Sequence, residues 1–235
     1  MTEELFRGDG YLKSCSAKVV EVRPEGIVLD RTVFYYESGG QPGDSGRLSR
    51  ADGTVVGIAD TKRDKASGAI LHVPQAGAPA LAAGDTVMAE IDWERRHRHM
   101  RMHTCLHLLC AVVPGQVTGG QIAADKGRLD FAVATGALDK AHIESELNRL
   151  IREDHPVTPR WITDDELAAT PDLVRTMSVK PPSGAGKVRL LDIPGVDLQP
   201  CGGTHVARTG EIGAVAVAKI ENKGKQNRRV VVQFA

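Results

Sequence analysis

The sequence predicts an α+β protein, with a small N-terminal β-barrel module over residues 1–92 and a mixed sheet-and-helix domain over residues 93–235. Two observations predict this division. Short apolar stretches separated by turn residues fill the first part, a pattern typical of small barrels and sandwiches. A run without glycine or proline then extends from Asp92 to Val113, which indicates one helix of about twenty residues. The total length of 235 residues allows two modest domains.

The strands of the predicted barrel module are short and closely spaced. Turns are expected at Pro24-Glu25-Gly26, in the glycine-rich stretch SGGQPGDSG and at Asp52-Gly53. The segment PQAGAPALAAGD, rich in alanine, glycine and proline, is expected to form a loop. The expected strands are SAKVVEV, GIVLD, TVFYY, TVVGIAD, ILHV and TVMAEID.

The second part interleaves strands with helices. Asp92 is the expected N-cap of its first helix, and Pro114-Gly115 ends that helix. A second helix is expected in LDKAHIESELNRLIRED, because its apolar residues recur at helical spacing. Thr163 and Glu166 form the expected capping box of a short third helix. The expected strands are RLDFAV, VTPRWIT, KVRLLDI, EIGAVAVAKIE and RRVVVQF, of which the last two read as a hairpin.

The composition limits the kinds of partner that the chain can have. Lysine and arginine together number 30, and so do aspartate and glutamate, which leaves a formal net charge of zero. A nucleic-acid partner would therefore need a local basic patch. The sequence contains neither a signal-peptide pattern nor a run of about 20 apolar residues, so we expect a cytoplasmic protein without a membrane partner. The four cysteines lack the pairing pattern of a secreted scaffold, which favours thiols or metal ligands.

Two separate motifs predict a metal site. His103 and His107 lie one turn apart in the predicted helix, which stacks their imidazoles on one face. Cys201 and His205 enclose two glycines that let the backbone curl, so that both side chains converge. Together these are four nitrogen and sulfur ligands, the set that zinc prefers, and we expect one Zn²⁺ per chain. The helix reads H-T-C-L-H and lacks the glutamate that acts as general base in zincin proteases.

Four motifs in this order resemble the editing domain of alanyl-tRNA synthetases and the free-standing AlaX trans-editing proteins. The helix histidines and the later CGGTH are the first pair. The stretch FYYESGGQPGDSG is similar to the family's glycine-rich motif, and GGQIAADKGRLDF is similar to the loop and strand after its metal-binding helix. The closing KGKQNRRV resembles the family's basic turn. Two departures are Ser38, where the family often has a third glycine, and Leu106, where threonine often precedes the second histidine.

The resemblance implies hydrolysis of the ester that joins a wrong amino acid to a tRNA 3′ end. Serine on tRNA(Ala) is the expected substrate and glycine the second candidate, and no ATP is required. Gln121 resembles the family's pocket glutamine and is assigned to substrate positioning. Thr104 and Thr204 are the candidate hydroxyl donors. Four protein ligands make a closed metal site, so whether zinc activates water or organises the pocket stays open.

Contacts with tRNA are expected from local features because the net charge is zero. Gly39, Gly40 and Gln41 of the glycine-rich motif are candidate substrate contacts. His97 and His99 alternate with arginines and are expected to be solvated or to face phosphate. The basic candidates are Arg95, Arg96, Arg98 and Arg101 on the helix, and Lys219, Lys223, Lys225, Arg228 and Arg229 near the C-terminus.

Three alternative functions stay open at this point. A non-catalytic, zinc-stabilised tRNA-binding module would bind tRNA without turnover and unfold on chelation. A zinc hydrolase acting on a small ester or amide would be active without tRNA. Editing of serine on tRNA(Thr) is disfavoured, because the glycine-rich motif resembles the alanyl branch.

Overall fold

The computed structural model of the protein describes residues 2–133, 138–174, 186–224 and 226–235. The chain divides into two compact units, Met1–Arg98 and His99–Ala235. The division falls six residues after the boundary expected from sequence, inside the first long helix. The first turns of that helix belong to the barrel unit, because Trp93 packs against the barrel core and Arg96 pairs with Asp44.

The first unit contains the expected barrel, formed by antiparallel strands in the order β2-β3-β7-β6-β5-β8. The short strands β1 and β4 pair in parallel outside it. Alternate side chains of the barrel strands fill its interior, where Val19, Leu29, Leu48 and Ile58 are almost fully buried. The strands are β1 Glu3–Glu4, β2 Ser14–Arg23, β3 Gly26–Leu29, β4 Arg31–Thr32, β5 Gly46–Ser49, β6 Val55–Arg63, β7 Ile70–Pro74 and β8 Thr86–Ile91, with a 3₁₀ turn over Leu5–Arg7.

The strand expected in TVFYY is wrong beyond Thr32. The four residues after it are buried, but their backbone does not join the barrel ladder. Side chains bind this backbone instead: Phe34 donates its N–H to Thr32 Oγ1 across 3.0 Å, and Tyr35 donates to Asp44 Oδ2 across 2.7 Å. The aromatic residues of this stretch therefore indicate burial and not a strand. The side chains of Thr32 and Asp44 accept the backbone N–H groups that a neighbouring strand would otherwise bind.

The long helix α1, Trp93–Val112, confirms the expected run. Asp92 caps it, because its Oδ1 accepts the N–H of Arg95 across 3.2 Å. Among the described residues, no helix combines the length and the apolar character needed to cross a membrane.

The second unit has a four-stranded antiparallel sheet in the order β14-β15-β10-β9 and a three-stranded antiparallel sheet in the order β11-β12-β13. The four-stranded sheet approaches α1 closely at Gly127, where a Cβ would lie 2.9 Å from Met102 Cγ. The capping box of Thr163 and Glu166 is confirmed at the start of α3. The remaining elements are β9 Gln116–Ile122, β10 Lys126–Ala132, α2 Lys140–Arg152, β11 Thr158–Ile162, α3 Asp164–Ala169, β12 Val188–Ile193, β13 Asp197–Pro200, β14 Val215–Asn222 and β15 Asn227–Phe234, with 3₁₀ turns over Pro171–Leu173 and Thr209–Ile212.

Candidate metal centre

The four expected metal ligands come together in the second unit. One ligand atom each from His103, His107, Cys201 and His205 fall within 4.8 Å of one another. Cys201 Sγ lies 3.5 Å from His103 Nε2 and 3.2 Å from His205 Nε2. The three histidines are each less than one-tenth exposed. The cluster is therefore a compact, largely dry set of one sulfur and three nitrogen donors.

Local structure explains why these side chains converge. The two helix histidines are one turn apart on α1, and their ring centroids are 5.4 Å apart. Cys201 directly follows β13, and its N–H donates to Arg189 O on β12 across 3.1 Å. The guanidinium of Arg189 also donates to the carbonyls of Cys201 and Gly203, across 2.9 and 3.0 Å. These bonds fix the turn that brings His205 back towards Cys201.

Two of the ligand separations match a tetrahedral metal ion, and the whole set of ligand atoms lies within 4.8 Å. With metal–sulfur and metal–nitrogen bonds of about 2.3 and 2.0 Å, tetrahedral ligand atoms lie about 3.5 Å apart. The measured separations of 3.5 and 3.2 Å from Cys201 Sγ to the two Nε2 atoms are close to that value. The donor set, one thiolate and three imidazoles, is borderline-soft and typical of zinc and similar transition metals.

Asp197 and Gln199 fix the orientation of His107. Asp197 Oδ2 lies 2.8 Å from His107 Nδ1 and also accepts the amide of Gln199 across 2.8 Å. A carboxylate only accepts hydrogen bonds, so Nδ1 carries the proton and Nε2 keeps the lone pair that a metal needs. Burial alone would lower the pKa of His107, but the bond to Asp197 and the contact with Cys201 outweigh it and raise the pKa to about 10.

Thr104 holds His205 in the same way through a hydroxyl. Its Oγ1 lies 3.0 Å from Met100 O, 3.2 Å from His205 Nδ1 and 3.3 Å from the N–H of Val206. A hydroxyl has one proton to donate and two lone pairs. Donation to Met100 O and acceptance from His205 and Val206 use all three, which leaves His205 Nε2 for the metal.

The charges around the sulfur favour its ionised form. Burial alone would raise the pKa of Cys201, but the neighbouring His103 and His205 imidazoles hold it well below its ordinary value. Burial lowers the pKa of His205, and the nearby His103 lowers it further. Without a metal the thiolate and a protonated His107 stabilise each other. A bound metal would take the place of the imidazole proton, because its ligands bind as a thiolate and neutral imidazoles.

Asp197 and Gln199 were not found from sequence, although a signal for them exists. Asp197, Gln199 and Cys201 alternate along DLQPC, and all three side chains reach His107. Residues two apart on a strand share one face. Identifying Cys201 as a ligand therefore marks positions 199 and 197 as candidates for contacts around the same ion.

The candidate catalytic residues lie in different surroundings. Gln121 is exposed, and its Oε1 accepts a hydrogen bond from Arg128 Nε across 3.2 Å. Gln121 and Arg128 are cross-strand neighbours, one position from Gly127, which faces α1. Side chains alternate along a strand, so Gln121 lies on the opposite face of this sheet from α1. Thr204 is buried between Gly203 and His205 in the ligand loop.

Two residues of the basic helix run need correction. Arg96 is fully buried; its guanidinium binds the Asp44 carboxylate and donates to Gly10 O and Val33 O across 2.9 and 2.7 Å. His99 is 2% exposed, so the expectation that it is solvated is wrong. Arg101 is half-buried and donates to Ile212 O across 2.9 Å. A charge run in sequence therefore contains structural residues as well as surface ones.

The other predicted tRNA contacts are more accessible. Arg98 is exposed and Arg95 is half-buried. Near the C-terminus Lys219 and Lys223 are exposed, Arg228 and Arg229 are half-buried, and Lys225 lies outside the described residues. Arg229 pairs with Asp130 across 2.7 Å, and Arg128 shares the same carboxylate across 3.1 Å.

The glycine-rich motif forms a tight exposed turn. Ser38 and Gln41 exchange backbone hydrogen bonds of 3.1 and 2.9 Å around Gly39 and Gly40. Both glycines have positive φ, 57° and 84°, a conformation that favours glycine over other residues. Gln41 is fully buried, so its side chain belongs to the barrel unit rather than to an exposed contact surface.

Comparison with known proteins agrees with the motifs. Residues 188–231 match the family model described as the threonyl and alanyl tRNA synthetase second additional domain, and residues 10–95 match that of class II (A) tRNA synthetases. The chain is 40% identical over 240 residues to the alanyl-tRNA editing protein AlaX-M of Methanosarcina acetivorans, covering 98% of each. It is 34% identical to the AlaX-M protein of Saccharolobus solfataricus, again over 98% of each.

The chain is also similar to one part of a longer protein, an alanine–tRNA ligase. The chain is 37% identical over 229 residues to the alanine–tRNA ligase of Sulfurisphaera tokodaii, covering 94% of this chain and 25% of the ligase. Both compact units therefore fall within the matched part of a much larger protein. With similarity over nearly the full length of free-standing relatives, the chain belongs to the AlaX family of alanyl-tRNA editing proteins.

Proposed function

We propose that this protein edits mischarged tRNA(Ala) in trans, hydrolysing the ester that links serine to the tRNA 3′ end. The observation that carries the proposal is the convergence of His103, His107, Cys201 and His205 in a chain of the alanyl-tRNA editing family. The proposal places the protein in the cytoplasm, where charged tRNA is used.

Zinc is the proposed metal, one per chain, because one thiolate and three imidazoles form a tetrahedral set. Bound zinc would supply a fixed positive charge that organises the pocket and polarises a neighbouring oxygen. His103, His107, Cys201 and His205 would hold it. Asp197 and Thr104 would not contact the metal themselves. They bind the Nδ1 atoms of His107 and His205 and so fix the orientation of these two ligand rings.

Hydrolysis of the aminoacyl ester needs few catalytic groups besides the metal site. An aminoacyl ester is already activated, so a placed water and stabilisation of charge on the carbonyl oxygen supply most of the rate. Thr104 has no hydroxyl capacity left for substrate, because its three hydrogen-bonding positions are used. Thr204, buried beside His205, is the second hydroxyl proposed from sequence for substrate contact.

Selectivity for serine over alanine requires a partner for one hydroxyl. A site that binds this hydroxyl leaves its own polar group unpaired when alanine is present, which disfavours the correct amino acid. Gln121 and Thr204 are the two side chains that we propose for this task. We assign Arg95, Arg98, Lys223 and Arg228 to contacts with tRNA phosphates, and the exposed Gly39-Gly40 turn to contact with the substrate.

The deciding experiment is deacylation of seryl-, glycyl- and alanyl-tRNA(Ala) by the purified protein and by the Cys201→Ala variant. We expect loss of the serine ester, retention of the alanine ester and strong dependence on Cys201. The glycine ester tests whether the pocket also accepts a smaller residue. Tight tRNA binding with all three esters intact would instead favour a non-catalytic tRNA-binding module.

A further inference from the structure

Two arginines of the barrel unit converge on one phenol oxygen. Arg7 Nη2 lies 2.9 Å and Arg63 Nη1 3.0 Å from the hydroxyl of Tyr36. Both guanidinium groups can only donate, so they use the two lone pairs of that oxygen. The Tyr36 O–H proton has no acceptor among the described residues. Two guanidinium groups are therefore held side by side around one phenol, whose own proton remains available to an acceptor outside the described residues.

The surrounding residues hold these donors in place. The Tyr36 ring stacks on Tyr35, with centroids 5.8 Å apart and planes within 2°, and meets the edge of Phe6 at 6.0 Å. Glu4 binds Arg7 Nε, and Gly68 O accepts Arg63 Nε across 3.3 Å. A preorganised set of donors binds an anion at lower entropic cost than free surface side chains.

The charge at this point is positive. Glu4 offsets Arg7, but Arg63 is exposed and has no carboxylate within salt-bridge distance in the described part of the chain. Other barrel arginines differ: Arg47 is bound by both oxygens of Glu90, with the closer contacts at 2.8 Å. Arg63 carries an uncompensated charge, and Arg7 points at the same phenol. Together with the phenol proton of Tyr36, these two guanidinium groups are suited to bind an oxyanion.

We propose that Arg7, Tyr36 and Arg63 form a binding site on the barrel unit for a backbone phosphate of the tRNA. This inference rests on the proposed function, which supplies tRNA as the ligand. Guanidinium groups bind phosphate oxygens with two directed hydrogen bonds, and the phenol donates a third. The site would add a sequence-independent contact that orients the tRNA without reading its bases.

The test measures binding of uncharged tRNA(Ala) to the full chain by fluorescence anisotropy at several salt concentrations. Arg63→Gln should lower affinity about fivefold at 0.15 M salt and reduce the slope of log K against log salt by about 0.7–0.9, the effect of one lost phosphate contact. Tyr36→Phe should weaken binding without changing that slope, since no charge is removed. Arg47→Gln is the matched control and should match the wild type.

The outcomes separate this site from the proposed function. If Arg63→Gln, Arg7→Gln and Tyr36→Phe all bind tRNA as Arg47→Gln does, with unchanged thermal unfolding, the phosphate site is wrong even when the wild type deacylates seryl-tRNA(Ala). If the wild type fails to deacylate while Arg63→Gln still weakens tRNA binding with the expected slope, the site stands and the catalytic assignment falls.

Discussion

The imidazole of His107 donates its Nδ1 proton to Asp197 across 2.8 Å, deep in the second unit, where Asp197 is 4% exposed. The bond sets which nitrogen of His107 faces the other three ligands. It also places a negative charge next to a ring that would share the charge of a bound metal ion, which strengthens that ring as a ligand. The carboxylate is thus part of the metal site without touching the metal.

Asp197→Asn should weaken metal binding while preserving the fold. The amide can still accept from Nδ1 but brings no charge, so we expect a loss of metal affinity of roughly 10- to 100-fold. Competition with a chromophoric chelator measures this affinity directly. Asp192→Asn is the matched control, because Asp192 lies on the neighbouring strand and pairs with Arg160 instead. Equal affinities for the two variants would contradict the role of Asp197.

Thr104→Val should destabilise the second unit. Valine has nearly the same shape but leaves His205 Nδ1 and the N–H of Val206 without their acceptor in a buried site. Leaving such groups unsatisfied costs roughly 1–3 kcal/mol in the free energy of unfolding. Denaturant unfolding measures it, and Thr104→Ser should recover most of the loss because it restores the hydroxyl. A serine variant as unstable as the valine variant would point to packing instead.

Acid should destabilise the barrel unit through His72. This histidine is fully buried between Ile27 O at 2.9 Å and Thr32 Oγ1 at 2.8 Å. Burial lowers its pKa from 6.5 to about 4, although the bond to Ile27 O opposes this. The folded protein holds His72 in its neutral form, whereas the unfolded chain takes up a proton below about pH 6.5. The contribution of His72 to the free energy of unfolding is therefore complete above about pH 6.5 and is lost as the pH falls towards 4.

The loss between pH 7 and pH 5 is about 2 kcal/mol in the free energy of unfolding for this group alone. Comparing His72→Gln with the wild type at both pH values isolates the effect from other titrating groups. The variant is expected to be less stable at pH 7 but to lose less stability on acidification. A wild-type stability that falls no more than that of the variant would show that His72 does not titrate in this way.

Asp44→Asn should lower the free energy of unfolding by more than the loss of a surface ion pair does. Asp44 and Arg96 are 1% and 0% exposed, and Asp44 also accepts the N–H of Tyr35. Removing one charge leaves the other buried and uncompensated, which costs about 3–5 kcal/mol. Glu90→Gln is the control, since its pair with Arg47 is solvent-exposed and worth less than about 1 kcal/mol. Thermal unfolding of both variants compares the two losses.

The sequence predicted what depends on local pattern. Barrel strands, the long helix and the four ligands follow from alternation, helical spacing and the identities of His and Cys. The role of Arg96 could not be predicted, because its partner Asp44 lies 52 residues away and a buried arginine looks like its solvated neighbours in sequence. The sheet face on which Gln121 lies could not be predicted for a related reason, since the face of a strand that packs on a helix is set by tertiary contacts, here by Gly127.

The two-residue spacing of Asp197, Gln199 and Cys201 has a consequence for assembly. A slip of β13 by one residue against β12 would turn all three side chains to the opposite side of the sheet. Such a chain would lose the sulfur and the carboxylate together and would keep only histidine ligands for an ion. A bound metal would therefore stabilise molecules with correctly aligned strands more than misaligned ones, because only the former offer all four ligands.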